Sequence, residues 1–221
     1  MKKADKITYL SSLLWLGIFS AAFAYIESAI VIYLRLLYYP GGFSFPIVLV
    51  PNFTAVVELG REACTIVILY TVSRLTFKKP MNIFCGFIYC FGIWDIFYYI
   101  WLYVYLGWPE NFFIWDILFL IPLPWIGPVL APVIVSLSMI TAAIIILRLD
   151  SKGIYFYNNT GLWTAIIAAG VIIVLSFIID YKVVTEQSVP VTFKWWIFLC
   201  GEFTGIAAFG FALWKTYNKQ D

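Results

Sequence analysis

The chain has 221 residues, of which 63% are hydrophobic, 20% aromatic and 12% charged, with a formal net charge of +2 and no histidine. A water-soluble domain of this length cannot hide so much apolar surface, so the composition indicates an integral membrane protein, read as a single all-α domain over residues 1–221. The small charge without a basic stripe argues against nucleic acid, and the lack of histidine removes most zinc hydrolases and the usual haem ligation.

Six apolar runs are long enough to cross a hydrocarbon core, which takes about 20 helical residues. The first is read at 9–37. Lys2, Lys3 and Lys6 followed by Ala22-Phe23-Ala24 imitate a signal peptide with its cleavage site, but the apolar character continues past Ala24, so an uncleaved span is preferred. The second span is read at 52–76. It carries Glu58-Leu59-Gly60-Arg61-Glu62 well inside it. The third, at 83–106, holds Asp95.

Residues 111–125 are too short to cross and are broken from the fourth span by Pro122 and Pro124. They are expected as a short interfacial or re-entrant helix on the outer face. The fourth span is read at 126–147, with Pro128 and Pro132 in its first turns. The fifth, at 162–179, has no charge at mid-membrane and reads as a packing or peripheral helix. The sixth, at 195–214, contains Gly201-Glu202-Phe203-Thr204-Gly205, a small-residue spacing that admits a neighbouring helix.

Loop charges orient this bundle. With the N-terminus inside, ten basic residues are cytoplasmic (Lys2, Lys3, Lys6, Arg74, Lys78, Lys79, Arg148, Lys152, Lys215 and Lys219) and three are outside (Arg35, Lys182 and Lys194). The positive-inside rule then places both termini in the cytoplasm of a cell-membrane protein. Cys64, Cys85, Cys90 and Cys200 form no CxxC pair and read as small buried apolar residues.

The candidate site follows from the charges. A helix rises about 1.5 Å per residue, so Glu58 and Glu62 lie roughly 9 and 15 Å below the outer end of their span, and Glu202 roughly 10 Å below the end of its own. Glu27 falls in the outer half of the first span and Asp95 near the middle of the third, while Asp116 can fold back from the outer segment. Glu58 and Glu62 share a helix face with Arg61 beside both, and Thr54 and Thr65 extend that stripe. Val56, Ala63, Val67 and Tyr70 lie opposite.

Charges at this depth mark a functional site by default. If Glu27, Asp95 and Glu202 join Glu58, Arg61 and Glu62, five acids face one buried base, with Arg35 as a second base at the edge. That balance calls for held protons or a bound cation. Carboxylate ligands suit a hard divalent ion, so Glu58, Glu62, Glu202 and Asp95 are the metal-ligand candidates. No cofactor is otherwise identified.

The preferred reading is a protein that binds or transports a proton, metal ion or organic cation, and is not an enzyme. Its partners are membrane lipid and a small cation, with a homo-oligomer or larger membrane complex open. One alternative is an accessory or assembly subunit in which the Glu–Arg–Glu set only locks helices together. Another is an intramembrane lipid-modifying enzyme, which is weakened by the lack of a nucleophile beside a base. No P-loop, Rossmann fingerprint, GxSxG or HExxH motif is present.

Overall fold

A computed structural model of the protein describes residues 3–48 and 50–218, without the side chains of residues 3–8 and 185. Lys2 and Lys219 lie outside the described residues, and the side chains of Lys3 and Lys6 outside the description. The elements run α1 (Lys3–Tyr38), α2 (Asn52–Thr76), α3 (Pro80–Leu106), β1 (Trp115–Phe119), β2 (Trp125–Pro128), α4 (Leu130–Ser151), α5 (Thr160–Ile178), the single turn α6 (Lys182–Thr185) and α7 (Trp195–Asn218).

Five stretches are long and apolar enough to cross a membrane: Tyr9–Tyr38, Pro80–Leu106, Leu130–Ser151, Thr160–Val184 and Trp195–Asn218. Their length and composition are those of a membrane-embedded protein. The second run also folds as a helix, α2, with 25 residues. It falls short of the same apolar standard because Glu58, Arg61, Glu62 and Arg74 interrupt it. Its burial explains those charges. The residues it buries are Glu58, Glu62, Thr65, Leu69 and Ser73, whereas Phe53, Val56, Val67, Tyr70 and Leu75 are exposed. A polar face turned inward and an apolar face turned outward is the pattern of a helix whose solvent is lipid.

Helix boundaries have local causes. Pro80 stands at the first turn of α3, where its missing N–H is not needed, and Gly107 ends that helix in the left-handed region at φ 64°. Asn159 caps α5 by accepting from the Leu162 N–H at 2.8 Å. α1 and α4 both pack on α3 and touch each other, α2 packs on α3 and α1, and α5 pairs with α7. The last two helices meet closely because Gly201 has no side chain: a Cβ there would stand 2.9 Å from the Ala169 carbonyl oxygen. The Gly201–Gly205 spacing therefore serves packing, and α5 is the packing helix its sequence suggested.

The segment 111–125 is not helical. Trp115–Phe119 and Trp125–Pro128 pair as an antiparallel hairpin, with Asp116 opposite Gly127, Ile117 opposite Ile126, and a register irregularity between Ile117 and Phe119. The β-branched and aromatic residues of both arms suit strands, and Pro122 and Pro124 sit in the connecting turn, where no ladder donor is required. The fold is thus helical with one two-stranded hairpin. α4 starts at Leu130, so Pro128 belongs to β2 and only Pro132 lies in the first turns of the helix.

The hairpin, residues 39–48 and residues 180–193 close one end of the bundle. Ile47, Ile126 and Val184 form a small core there, and Ala131, Phe177, Phe193 and Phe198 form another beneath Trp115 and Trp125. Cys85 and Cys90 are buried as expected, but Cys64 and Cys200 face outward, and all four are free.

Candidate functional site

The charged face of α2 meets α1 and the hairpin. Arg61 forms an ion pair with Glu27 of α1, and its Nε donates to Glu58 Oε2 at 2.8 Å. Thr65 Oγ1 lies 3.2 Å from Glu27 Oε2 and 3.1 Å from the Arg61 carbonyl oxygen, so its single proton serves one or the other. One guanidinium therefore holds two carboxylates from two helices, a geometry that its planar fork of donors permits.

Glu62, one turn further along α2, takes a different partner. Both its oxygens accept from the backbone N–H of Leu120, at 3.1 and 2.9 Å. Leu120 directly follows β1, where the chain turns towards Pro122. The contact fixes the hairpin's placement. Asp116 near its base meets Arg35, three residues before the end of α1, whereas Leu120 near its tip meets Glu62, ten residues into α2. The hairpin tip thus reaches further along α2 than its base does, and the segment expected as an interfacial or re-entrant helix is a pair of strands.

Asp116 belongs to a second ion pair. Arg35 Nη2 stands 3.3 Å from Asp116 Oδ1. The guanidinium also lies against two rings set edge to face, 3.8 Å from the Trp108 centroid and 4.3 Å from that of Phe43. Both charged residues are buried. Arg35 Nη1 and Asp116 Oδ2 have no hydrogen-bond partner among the described residues. Burial pushes the Asp116 carboxyl up to about 6, against the downward pull of Arg35.

Asp95 lies on the far side of α3, against α4, where Ser136 Oγ donates to its Oδ2 at 2.8 Å. Its placement depends on Gly92, one turn earlier: a Cβ at Gly92 would stand 2.8 Å from the Ser136 carbonyl oxygen. Tyr98 lies within electrostatic reach of Arg35, Arg61, Asp95 and Asp116, and so sits among the two ion-pair sets and the lone acid. The Tyr99 hydroxyl turns to Asp116. Neither tyrosine is the hydrogen-bond partner of Asp95, which relies on Ser136.

Glu202 is elsewhere. It faces α4, where Ser138 Oγ donates to its Oε1, and it lines a cavity between α3, α4, α5 and α7. The predicted gathering is thus partial. Glu27, Glu58, Arg61 and Glu62 come together, with Arg35, Asp116 and Asp95 close by, and Glu202 stands apart. The metal set Glu58, Glu62, Glu202 and Asp95 is corrected: it is split over three places, and among the described residues no three His, Cys, Asp or Glu side chains are grouped to hold a metal ion. Helix adjacency is the reason, since α2 packs on α1 and α3 and not on α7.

Sequence reasoning missed the Leu120 N–H as the Glu62 partner, because a backbone donor from a hairpin leaves no residue-type signal. It also passed over Ser136 and Ser138, two hydroxyls in a largely apolar span whose spacing offered a clue. No protein-family model, curated protein or solved structure matches this chain.

Proposed function

We propose that the protein is a six-span bundle, with α2 as the sixth span and both termini cytoplasmic, that binds a proton or small cation at the centre formed by α1, α2 and the hairpin and carries it through the cell membrane. The observation that carries this reading is the charge balance. Glu27, Glu58, Glu62, Asp95 and Asp116 are five acids, and Arg35 and Arg61 are two bases. The three surplus negative charges are more than a low-dielectric interior sustains, so protons or a cation must compensate them. A proton or an organic cation fits better than a metal ion, because the carboxylates are held by Arg61 and a peptide N–H rather than gathered as ligands.

Glu62 is the residue assigned to carry the exchange. Its partner is neutral, so it changes charge without breaking an ion pair, and its link to Leu120 couples that change to the hairpin. The test is flux in proteoliposomes containing the purified chain, driven by a pH or cation gradient and followed by an internal pH dye. Glu62→Gln and Glu58→Gln are expected to abolish or strongly slow the flux. Unchanged flux in both variants removes the proposal.

A second reading rests on the same contacts. Arg61 and Glu62 tie α1, α2 and the hairpin into one unit, which suits a non-catalytic accessory subunit of a membrane complex. Stoichiometric co-purification of a partner from the native membrane, together with a lack of flux, favours it.

A further inference from the structure

Glu202 is unused by the centre described above, and its surroundings are unlike it. The cavity it lines has a volume of about 540 Å³, within the range of roughly 300–1,000 Å³ typical of small-molecule sites. Its walls are apolar and aromatic, including Phe84, Ile166, Ile173, Ile206 and Phe209. Phe84 and Trp163, both lining residues, meet edge to face with ring centroids 5.1 Å apart.

Into this apolar space the protein places one acid. Glu202 is 7% exposed, and no ion pair involves it among the described residues. A carboxylate offers about four acceptor positions, and Ser138 takes one of them. Among the described residues no lysine or arginine lines the cavity. A carboxylate held in hydrocarbon without a counter-charge is costly, and a guest with an apolar body and a positive centre satisfies both wall and acid.

From this juxtaposition we infer that the cavity between α3, α4, α5 and α7 is a binding site for a lipophilic monocation, such as a bulky quaternary ammonium or phosphonium compound, with Glu202 as its counter-ion. The site shares no residue with the Arg61 and Glu62 centre, so it stands or falls separately from the transport reading.

The test is equilibrium dialysis of the full chain, purified in mild detergent, against radiolabelled tetraphenylphosphonium. Tetraphenylborate, of the same shape and opposite charge, is the comparison ligand. Saturable binding of about one phosphonium per chain is expected, with at least a tenfold preference over the borate and at least a tenfold loss in Glu202→Gln. Gly170→Phe is a second variant. Gly170 lines the cavity and a Cβ there meets nothing within 4 Å, so a ring added at its rim meets no backbone clash and is expected to obstruct the cavity and weaken binding at least tenfold. If Glu202→Gln fails to fold, Gly170→Phe and the charge comparison on the native chain carry the test. Absence of saturable binding, equal binding in Glu202→Gln, or equal binding of the borate overturns the inference, the last showing an apolar crevice that lipid tails fill.

Discussion

Glu62 and Glu202 lie on helices that enter the bundle from the same end, at similar depth, yet they are solved differently. Around Glu62 the charged side chains are held by groups of the protein, although acids outnumber bases: Arg61 by Glu27 and Glu58, Glu62 by the Leu120 N–H, and Arg35 by Asp116 and two aromatic rings. Around Glu202 one serine answers, and the rest of the space is an apolar cavity. Buried acids hold the chain together in the first region and are left available in the second. A buried ionic network and a lone buried acid are therefore separate physical objects, although each is written in the sequence as a glutamate inside an apolar run.

The strongest way to break this comparison is to remove the shared base. Arg61→Met leaves Glu27 and Glu58 buried without a counter-charge. Breaking a buried pair from one side costs about 3–5 kcal/mol. The expected result is a large drop in melting temperature in mild detergent, with loss of folded yield. Glu202→Gln, measured beside it, is expected to shift the melting temperature little. Similar shifts in the two variants would erase the distinction between an interlocked and an available acid.

A second measurement asks whether the interlocked region holds a proton. Asp116 is pushed from 3.8 to about 6 by burial. The sign follows from proton counts. Between these values the unfolded chain has released the proton while the folded chain retains it, so stability falls as pH rises from 4 to 6 and levels off above. The full span corresponds to about 3 kcal/mol. Asp116→Asn is expected to flatten the melting-temperature profile over that window and to lower it above about pH 6, where the native Asp116 is ionised and the variant leaves Arg35 without its counter-charge. A profile as steep in Asp116→Asn as in the native chain would assign the titration to other groups.

The two regions also differ in how far the sequence reveals them. Run length and end signals place all six long helices, and 52–76 coincides with α2, because Pro51 and Lys78-Lys79-Pro80 bracket it. Rise per residue gives depth along a helix but not which helix stands beside it. Glu27, Asp95 and Glu202 were therefore set at comparable depths, and only Glu27 proved to face Arg61. The hairpin was hidden for another reason. A short apolar run bounded by prolines has no periodicity that separates strand from helix, and its function here rests on a peptide N–H that every residue but proline carries. The Glu202 cavity is a void between four helices, and no single segment encodes it.

The finest distinction between the regions lies in two serines two residues apart on α4. Ser136 is 1% exposed and donates to Asp95, beside the charged centre, while Ser138 is half-buried and donates to Glu202 at the cavity. Side-chain hydrogen bonds between membrane helices average about 0.6 kcal/mol, whereas stripping the partner from a buried polar group costs about 1–3 kcal/mol. Ser136→Ala falls under the second case, since closely packed α3 offers Asp95 no room to re-pair. Ser138→Ala falls under the first, since Glu202 borders open space and can turn. Thermal unfolding of the two variants is expected to rank Ser136→Ala as the more damaging. The reverse order would make the Glu202 region the rigid one and move the interlocked centre of the bundle from α2 to α7.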